Sequence, residues 1–182
     1  MLCSGLRMSD VISTLGPVGT DSHAQAQQLG CAVSLHETFY SAIKHAKDHA
    51  TKLLVPAGFR EVHRKKIFSW VDFHFDNLDC FFLERVWFAD TMPMVHLHRS
   101  YSTIAIHPST SGLVPNIKKY KRVVYAKSKV EAYYLFARGL ASASVTSINN
   151  VSAEDQERYC SAVYTPSMVW CLYRPKHSTG DD

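Results

Sequence analysis

The chain alternates between two hydrophobic rhythms. Short apolar or β-branched runs occupy Val11–Leu15, Cys31–Leu35, Lys52–Val55, Cys80–Phe88, Met94–His98, Tyr101–Ile106, Arg122–Tyr125, Ala141–Thr146 and Met168–Tyr173, and such runs between turn residues predict strands. Helix-like segments lie between several of them. Asp21–Leu29 predicts a short helix and Thr38–His49 a better one, with Phe39, Ala42, Ile43 and Ala46 on one face. In Ser128-Lys129-Val130-Glu131 the spacing lets the serine cap the Glu131 amide while the glutamate reaches back to Ser128. That helix should run to Arg138 and stop at Gly139, and Ser152–Tyr159 predicts a second capped helix. Repeated strand–helix units with short connections predict a mostly parallel α/β sheet, and the β-rich stretch near residue 90 predicts a crossing into a second lobe. Met1–Met8 reads as a loose leader and His177–Asp182 as a frayed tail.

Composition narrows the class. The 182 residues are 46% hydrophobic and 20% charged, which excludes a disordered, collagen-like or coiled-coil chain. The length suits one compact unit, bilobed at most. A net charge of +4 favours a small anionic ligand but is too weak for a nucleic-acid surface. The five cysteines are widely spaced with no Cys-x-x-Cys pair, as expected in a reducing cytoplasm. No apolar run approaches a membrane span, and Arg7 and Asp10 interrupt the N-terminal stretch where a secretion signal would be apolar. A cytoplasmic protein with no membrane partner is therefore expected.

In open α/β folds ligands bind beyond the carboxyl ends of strands, so the residues just after each strand carry the functional weight. Gly16-Pro17-Val18-Gly19-Thr20-Asp21-Ser22 follows the first strand and opens a helix; its amides and hydroxyls suit an anion, and equally a plain capped turn. His107-Pro108-Ser109-Thr110-Ser111-Gly112 follows the strand ending at Ile106, with three hydroxyls able to grip a carboxylate.

In order along the chain, these motifs resemble the catalytic domain of prephenate dehydratases. Gly16–Ser22 is similar to that family's Gly-Pro-x-Gly-Thr-Phe-Ser, with Asp21 in place of phenylalanine. Val55-Pro56-Ala57-Gly58-Phe59-Arg60 corresponds to its Val-Pro-Ile-Glu-Asn-Ser, His107-Pro108-Ser109 to its His-Pro-Gln, and Ser128–Ala132 to its Ser-Thr-x-x-Ala. Ala141–Thr146 resembles its small-residue strand. The resemblance runs from about Ile12 to Tyr173 and implies an α/β, two-lobed, type 2 periplasmic-binding-protein-like fold with mixed, mostly parallel sheets and a ligand cleft between lobes. Lobe 1 would comprise about residues 9–90 plus 165–176, and lobe 2 about 91–164. A homodimer is compatible with the resemblance, and no cofactor or metal is implied.

The departures point within that superfamily. The dehydratases' Thr-Arg-Phe, whose threonine is assigned as the acid expelling the ring hydroxyl, has no counterpart; Thr165-Pro166-Ser167-Met168-Val169-Trp170 stands there. Thr14–Ser22, Leu35-His36-Glu37-Thr38-Phe39 and Met168-Val169-Trp170-Cys171-Leu172-Tyr173 look closer to the prephenate decarboxylases of the bacilysin type. That resemblance implies a carbon–carbon lyase acting on a small dianion, giving a dihydro-hydroxyphenylpyruvate for a specialised amino acid or antibiotic. Without the hydroxyl's acid the ring keeps its hydroxyl, so aromatisation is avoided. Two other readings stay open: a non-catalytic module binding an aromatic or cyclohexadienyl acid, and a divergent dehydratase using Thr165 or Ser167.

The resemblance makes Thr20, Ser22 and Ser109 the catalytic candidates, and Gly19, Thr20, Ser22, Ala57, His107, Ser109, Thr110, Ser111 and Ser128 the substrate-binding set. His107 reads first as a structural residue packed beside Pro108, and Ser128 first as a helix cap. Arg60 and Arg99 are candidates to balance the dianion, and Glu37 could serve only as a dipole-favourable cap. His45/His49 and His96/His98 each share a face, but neither pair signals a third metal ligand. A cysteine nucleophile at Cys80 or Cys171 has no histidine to support it. The aromatic stretch Phe68–Phe88, interleaved with acids, reads as core and lobe-interface packing rather than a nucleic-acid platform.

Overall fold

A computed structural model of the chain describes residues 11–63 and 66–176; the expected leader and tail, Met1–Met8 and His177–Asp182, lie outside the described residues. The chain divides into two compact units, one of residues up to Ala89 together with those from Met168, the other Asp90–Ser167.

The first unit is a five-stranded sheet. Strands β1 (Val11–Leu15), β2 (Ala32–His36) and β3 (Lys52–Pro56) run parallel, and β12 (Ser167–Pro175) returns antiparallel to β3, in the order β2-β1-β3-β12-β6 with β6 (Phe81–Asp90) at the edge. Both faces are covered, so inward residues alternate between two clusters. Leu53, Val55, Cys171 and Tyr173 meet α2 (Phe39–His49) and α3 (Trp70–Asp76) through Phe39, Ala42, Ile43, Ala46 and Phe73. Ile12, Leu54, Trp170 and Leu172 pack on the other face with Ala26 of α1 (Asp21–Gln27). The four-residue apolar face expected for the second helix is the one buried, each such side chain contributing roughly 2 kcal/mol of burial or less for the alanines.

Two stretches of this unit depart from the sequence expectation. A hairpin of β4 (Arg60–His63) and β5 (Lys66–Ser69) precedes α3, in a stretch for which no element was expected. The aromatic segment is only partly core: Phe73 and Phe81 are buried, but Phe75, Phe82 and Phe88 are exposed. Arg174 and Lys176 lie over the Phe82 ring, covering part of that surface with their cationic ends.

The second unit has a sheet of order β11-β7-β10-β8-β9. Strands β8 (Thr103–Ile106), β9 (Arg122–Tyr125) and β10 (Ala143–Ser147) are parallel, while β7 (Met94–His98) is antiparallel to β10 and to β11 (Cys160–Tyr164). Ile104, Ile106, Met94, Ala143 and Val145 face the segment carrying Val114 and Tyr120. On the opposite face Ala105, Val95 and Leu97 receive Ala132 and Phe136 of α4 (Lys129–Ala137), and Tyr159 of α5 (Ala153–Tyr159) adds to that side. Ser128 caps α4 by accepting the Glu131 amide at 3.0 Å. Glu131 itself takes the Lys127 amide at 2.5 Å, one residue earlier than the expected reach to Ser128.

Candidate functional site

In the second unit β8, β9 and β10 end on one edge. His107 leaves β8 there, and Val145 sits opposite Ile106 in the parallel register, so Ser147 emerges beside the same edge. The start of α4 is tied to it, because the Thr146 hydroxyl donates to the Lys129 carbonyl at 2.8 Å and accepts Asn150 Nδ2–H at 3.1 Å. His107, Ser109, Ser128, Lys129 and Ser147 thus stand along the carboxyl edge of one sheet.

The hydroxyls differ in what they have left to give, since each carries one proton. Pro108–Leu113 forms a 3₁₀ turn; within it Thr110 donates to the His107 carbonyl and Ser111 to the Pro108 carbonyl, both at 2.9 Å. These protons are spent on the turn. His107 Nδ1 accepts the Ser109 amide at 3.3 Å and faces the Ser109 hydroxyl at 2.7 Å. A nitrogen that accepts an amide carries no proton, so Ser109 donates as well, and the imidazole proton lies on Nε2. Burial pushes the His107 pKa down, and the Lys129 cation lowers it further. The ring is therefore a neutral donor through Nε2 rather than an acid.

Ser147 stands apart. Its hydroxyl is buried and has no hydrogen-bond partner among the described residues, an arrangement that costs about 1–3 kcal/mol. Sequence reading missed Ser147 and Lys129, although Ser147 closes the small-residue strand where strand-end weighting points.

At the first unit's carboxyl edge the donors are largely consumed. Thr20 donates to the Leu15 carbonyl at 3.2 Å and accepts the His23 amide at 3.3 Å as the cap of α1. Gly19, whose φ of 87° suits a residue without a Cβ, gives its amide to His23 Nδ1 at 3.2 Å. The Ala57 amide donates to the Val169 carbonyl at 2.8 Å, and Ser22 is buried on α1. The Gly16–Ser22 segment thus has the local bonding of a capped turn. Gly58 is held close, since a Cβ there would meet Met168 Sδ at 3.0 Å.

Several other sequence candidates receive different roles. Arg99 is structural: its guanidinium lies 3.9 Å from the centre of the Phe136 ring and 4.4 Å from that of Tyr159, and Nη1 donates to the Phe136 carbonyl at 3.0 Å. It follows β7, whose His98 pairs with Ala143 at the start of β10, so it stands at the sheet edge opposite His107 and cannot balance an anion there. Glu37 is not the carboxylate at the start of α2; Glu61 is, accepting the Phe39 amide at 2.9 Å and the Tyr40 amide at 3.0 Å. Arg60 begins the β4–β5 hairpin, exposed. Cys171 is buried, and burial pushes its thiol up to about 11, so it is no thiolate nucleophile at neutral pH. His45 stacks on His49 and hydrogen-bonds Ser13 at 2.9 Å. Among the described residues no group of three or more His, Cys, Asp or Glu could hold a metal ion, and no helix is long and apolar enough to cross a membrane.

No family model and no curated protein matches the chain. Solved structures do. The prephenate dehydratase of Arthrobacter aurescens, in complex with L-Phe, superposes with a TM-score of 0.55 at 13% identity, over 94% of this chain and 62% of that one. The prephenate dehydratase of Staphylococcus aureus subsp. aureus Mu50 gives 0.54 at 13% identity, over 92% and 68%. The periplasmic VFT2 domain of Bordetella pertussis BvgS gives 0.50 at 15% identity, over 94% and 83%. The chain thus spans less than two thirds of the Arthrobacter protein. At these identities the likeness establishes the fold alone: an α/β chain with mixed sheets, folded like periplasmic-binding-protein-like domains, as expected from the motifs.

Proposed function

We propose that the protein binds a small cyclohexadienyl keto acid of the prephenate type and decarboxylates it without aromatisation. The observation that carries the binding half is the unspent donor capacity along one strand edge, the unpartnered Ser147 hydroxyl and the Nε2 proton of a neutral His107, with the Lys129 cation near enough to lower the His107 pKa. Two neutral donors beside a cation fit a carboxylate, and Ser109 acts through His107 by fixing its tautomer. The dehydratase-like fold supports prephenate as the substrate class, and the sequence departure at Thr165–Trp170 supports retention of the ring hydroxyl.

In the reaction the bond from the ring carbon to its carboxylate breaks and its electron pair enters the ring. One proton adds to a ring carbon, the hydroxyl stays, and carbon dioxide leaves. Holding the pyruvyl carboxylate while leaving the ring carboxylate poorly solvated eases this step.

The test is a proton NMR time course with prephenate at neutral pH against a protein-free control, run for wild type and Ser147→Ala. Retained non-aromatic ring protons with loss of carbon dioxide, slowed at least tenfold in S147A, are expected; a tenfold loss is the effect of about 1.4 kcal/mol in the barrier. Aromatic phenylpyruvate signals would make the protein a dehydratase. Unchanged prephenate with broadened lines would make it a binding module, and either result overturns the proposal.

A further inference from the structure

The second unit's sheet carries a second group of polar side chains on the face covered by the segment of Val114 and Tyr120. His96 and His98 stand on one face of β7, and Tyr120, at the end of the segment covering that face, brings its hydroxyl between them, 2.9 Å from His96 Nε2 and 2.8 Å from His98 Nδ1. The two ring nitrogens that could have shared a metal are both spent on one phenol oxygen. Ser161 of β11 completes the chain, with Oγ 3.1 Å from His96 Nδ1 and 2.9 Å from the His96 carbonyl.

The proton directions follow from one contact. Two oxygens 2.9 Å apart need a proton between them, so the Ser161 hydroxyl donates to the His96 carbonyl. His96 Nδ1 must then donate to Ser161, which leaves Nε2 as the acceptor of the Tyr120 proton. Tyr120, having given its proton, accepts from His98 Nδ1–H. The one nitrogen left over is His98 Nε2, an acceptor without a partner among the described residues. Burial, then His98, pushes the His96 pKa down to about 4, and burial first pushes Tyr120 up to about 12; both keep the neutral forms this network requires.

These residues line a cavity of about 270 Å³, together with Tyr101, Tyr164 and Asn116. Its chemistry is narrow. No acid, lysine or arginine is among the lining residues, so a charged ligand would lose hydration without a partner. Three tyrosine rings offer flat apolar walls, and the volume holds one or two rings but not a nucleotide. The free acceptor calls for a donor on the ligand.

We propose that this cavity is a binding site for a small, uncharged hydroxylated aromatic ring, a phenol, whose hydroxyl donates to His98 Nε2 while its ring lies against Tyr101 and Tyr164. The site is independent of the proposed decarboxylase activity. None of His107, Ser109, Lys129 and Ser147 is among its lining residues.

The test uses phenol and anisole, which share a ring but differ in the donor. The full chain is titrated at pH 8, above the ordinary imidazole range, and followed by amide and imidazole NMR shifts. A ligand this small should bind with a Kd of about a millimolar. Expected are saturable shifts at His96, His98, Tyr101, Ser161 and Tyr164, with anisole at least tenfold weaker and phenol binding lost at least tenfold in His98→Phe. The anisole comparison on wild type stands even if H98F does not fold. Equal affinity for anisole, shifts elsewhere on the protein, or no saturable shift at tens of millimolar phenol would each overturn the proposal.

Discussion

Replacing Glu61 should loosen the start of α2, although the two lie 21 and 22 residues apart in sequence. The Glu61 carboxylate accepts the Phe39 and Tyr40 amides at 2.9 and 3.0 Å, two of the donors a helix start leaves open. Thr38 accepts the Ser41 amide at 3.0 Å, so the first turn is saturated only when both residues are present. Hydrogen bonds to a charged acceptor contribute about 1.5–3 kcal/mol where they are sheltered, and a carboxylate at a helix N-terminus adds about 0.3–1 kcal/mol. The Tyr40 bond is exposed and the Phe39 bond half-buried, so water recovers much of the first and little of the second. Glu61→Ala should therefore cost about 2 kcal/mol, and Glu61→Gln, which keeps one acceptor, about half of that. For a chain of this size 2 kcal/mol is a fall in Tm of roughly 4–8 °C. Because two units need not unfold together, hydrogen exchange is the sharper assay. Protection should fall at the amides of Phe39, Tyr40 and Ser41 and stay unchanged in α4. Equal protection of the α2 amides in E61A, or unfolding within about 0.3 kcal/mol of wild type, would refute the account of this cap.

Tyr173→Phe removes a buried hydroxyl that accepts Trp70 Nε1–H at 3.0 Å and stands 2.9 Å from His74 Nδ1, leaving a sheltered indole donor unpaired. The cost should be about 1–3 kcal/mol, read by tryptophan fluorescence during urea unfolding; an unchanged midpoint would contradict the bond. The pKa of His96 is held down to about 4 against an ordinary 6.5, by burial first and then by His98. A histidine lowered in this way binds its proton more readily in the unfolded chain. Its contribution to stability is therefore complete above pH 6.5, declines as pH falls through the window from 6.5 to about 4, and levels off below. An NMR titration of the imidazole should find a midpoint near 4, and a midpoint above 6 would dismantle the His96–Tyr120–His98 network.

What could be read from the chain was what is encoded locally. Thr38, Ser128 and Ser152 each sit three residues before the amide they cap, so spacing alone places them. All strands of the two five-stranded sheets except β11 announce themselves as short apolar or β-branched runs between turn residues. The missed elements lack such punctuation. Strand β11 follows α5 directly, Cys160 after Tyr159 with no glycine or proline between, and α3 has an apolar or aromatic residue at four of its seven positions, which fits a strand as well as a helix. Glu61 on α2 and Tyr120 between His96 and His98 are contacts across more than 20 residues, created by packing rather than by any local pattern.

The candidate sites show a subtler limit. Weighting the residues after each strand directs attention to the carboxyl edges of the sheets, but a hydroxyl there can serve a ligand as donor only after the turn's own demand has been met. At Gly16–Ser22 and Pro108–Leu113 the chain bends sharply, and the carbonyls of Leu15, His107 and Pro108 consume the protons of Thr20, Thr110 and Ser111. The serine–threonine richness that draws attention to such loops is in part what builds them. Ser147 escapes this because it leaves the strand into a short 3₁₀ turn, Ile148–Asn150, whose first amide is satisfied by the Pro93 carbonyl at 2.9 Å. Its hydroxyl is not needed as a cap, which leaves it, alone among the hydroxyls of that strand edge named here, with both burial and a proton to give. Donor capacity left over after local bonding, more than hydroxyl count, separates a binding edge from a well-made turn.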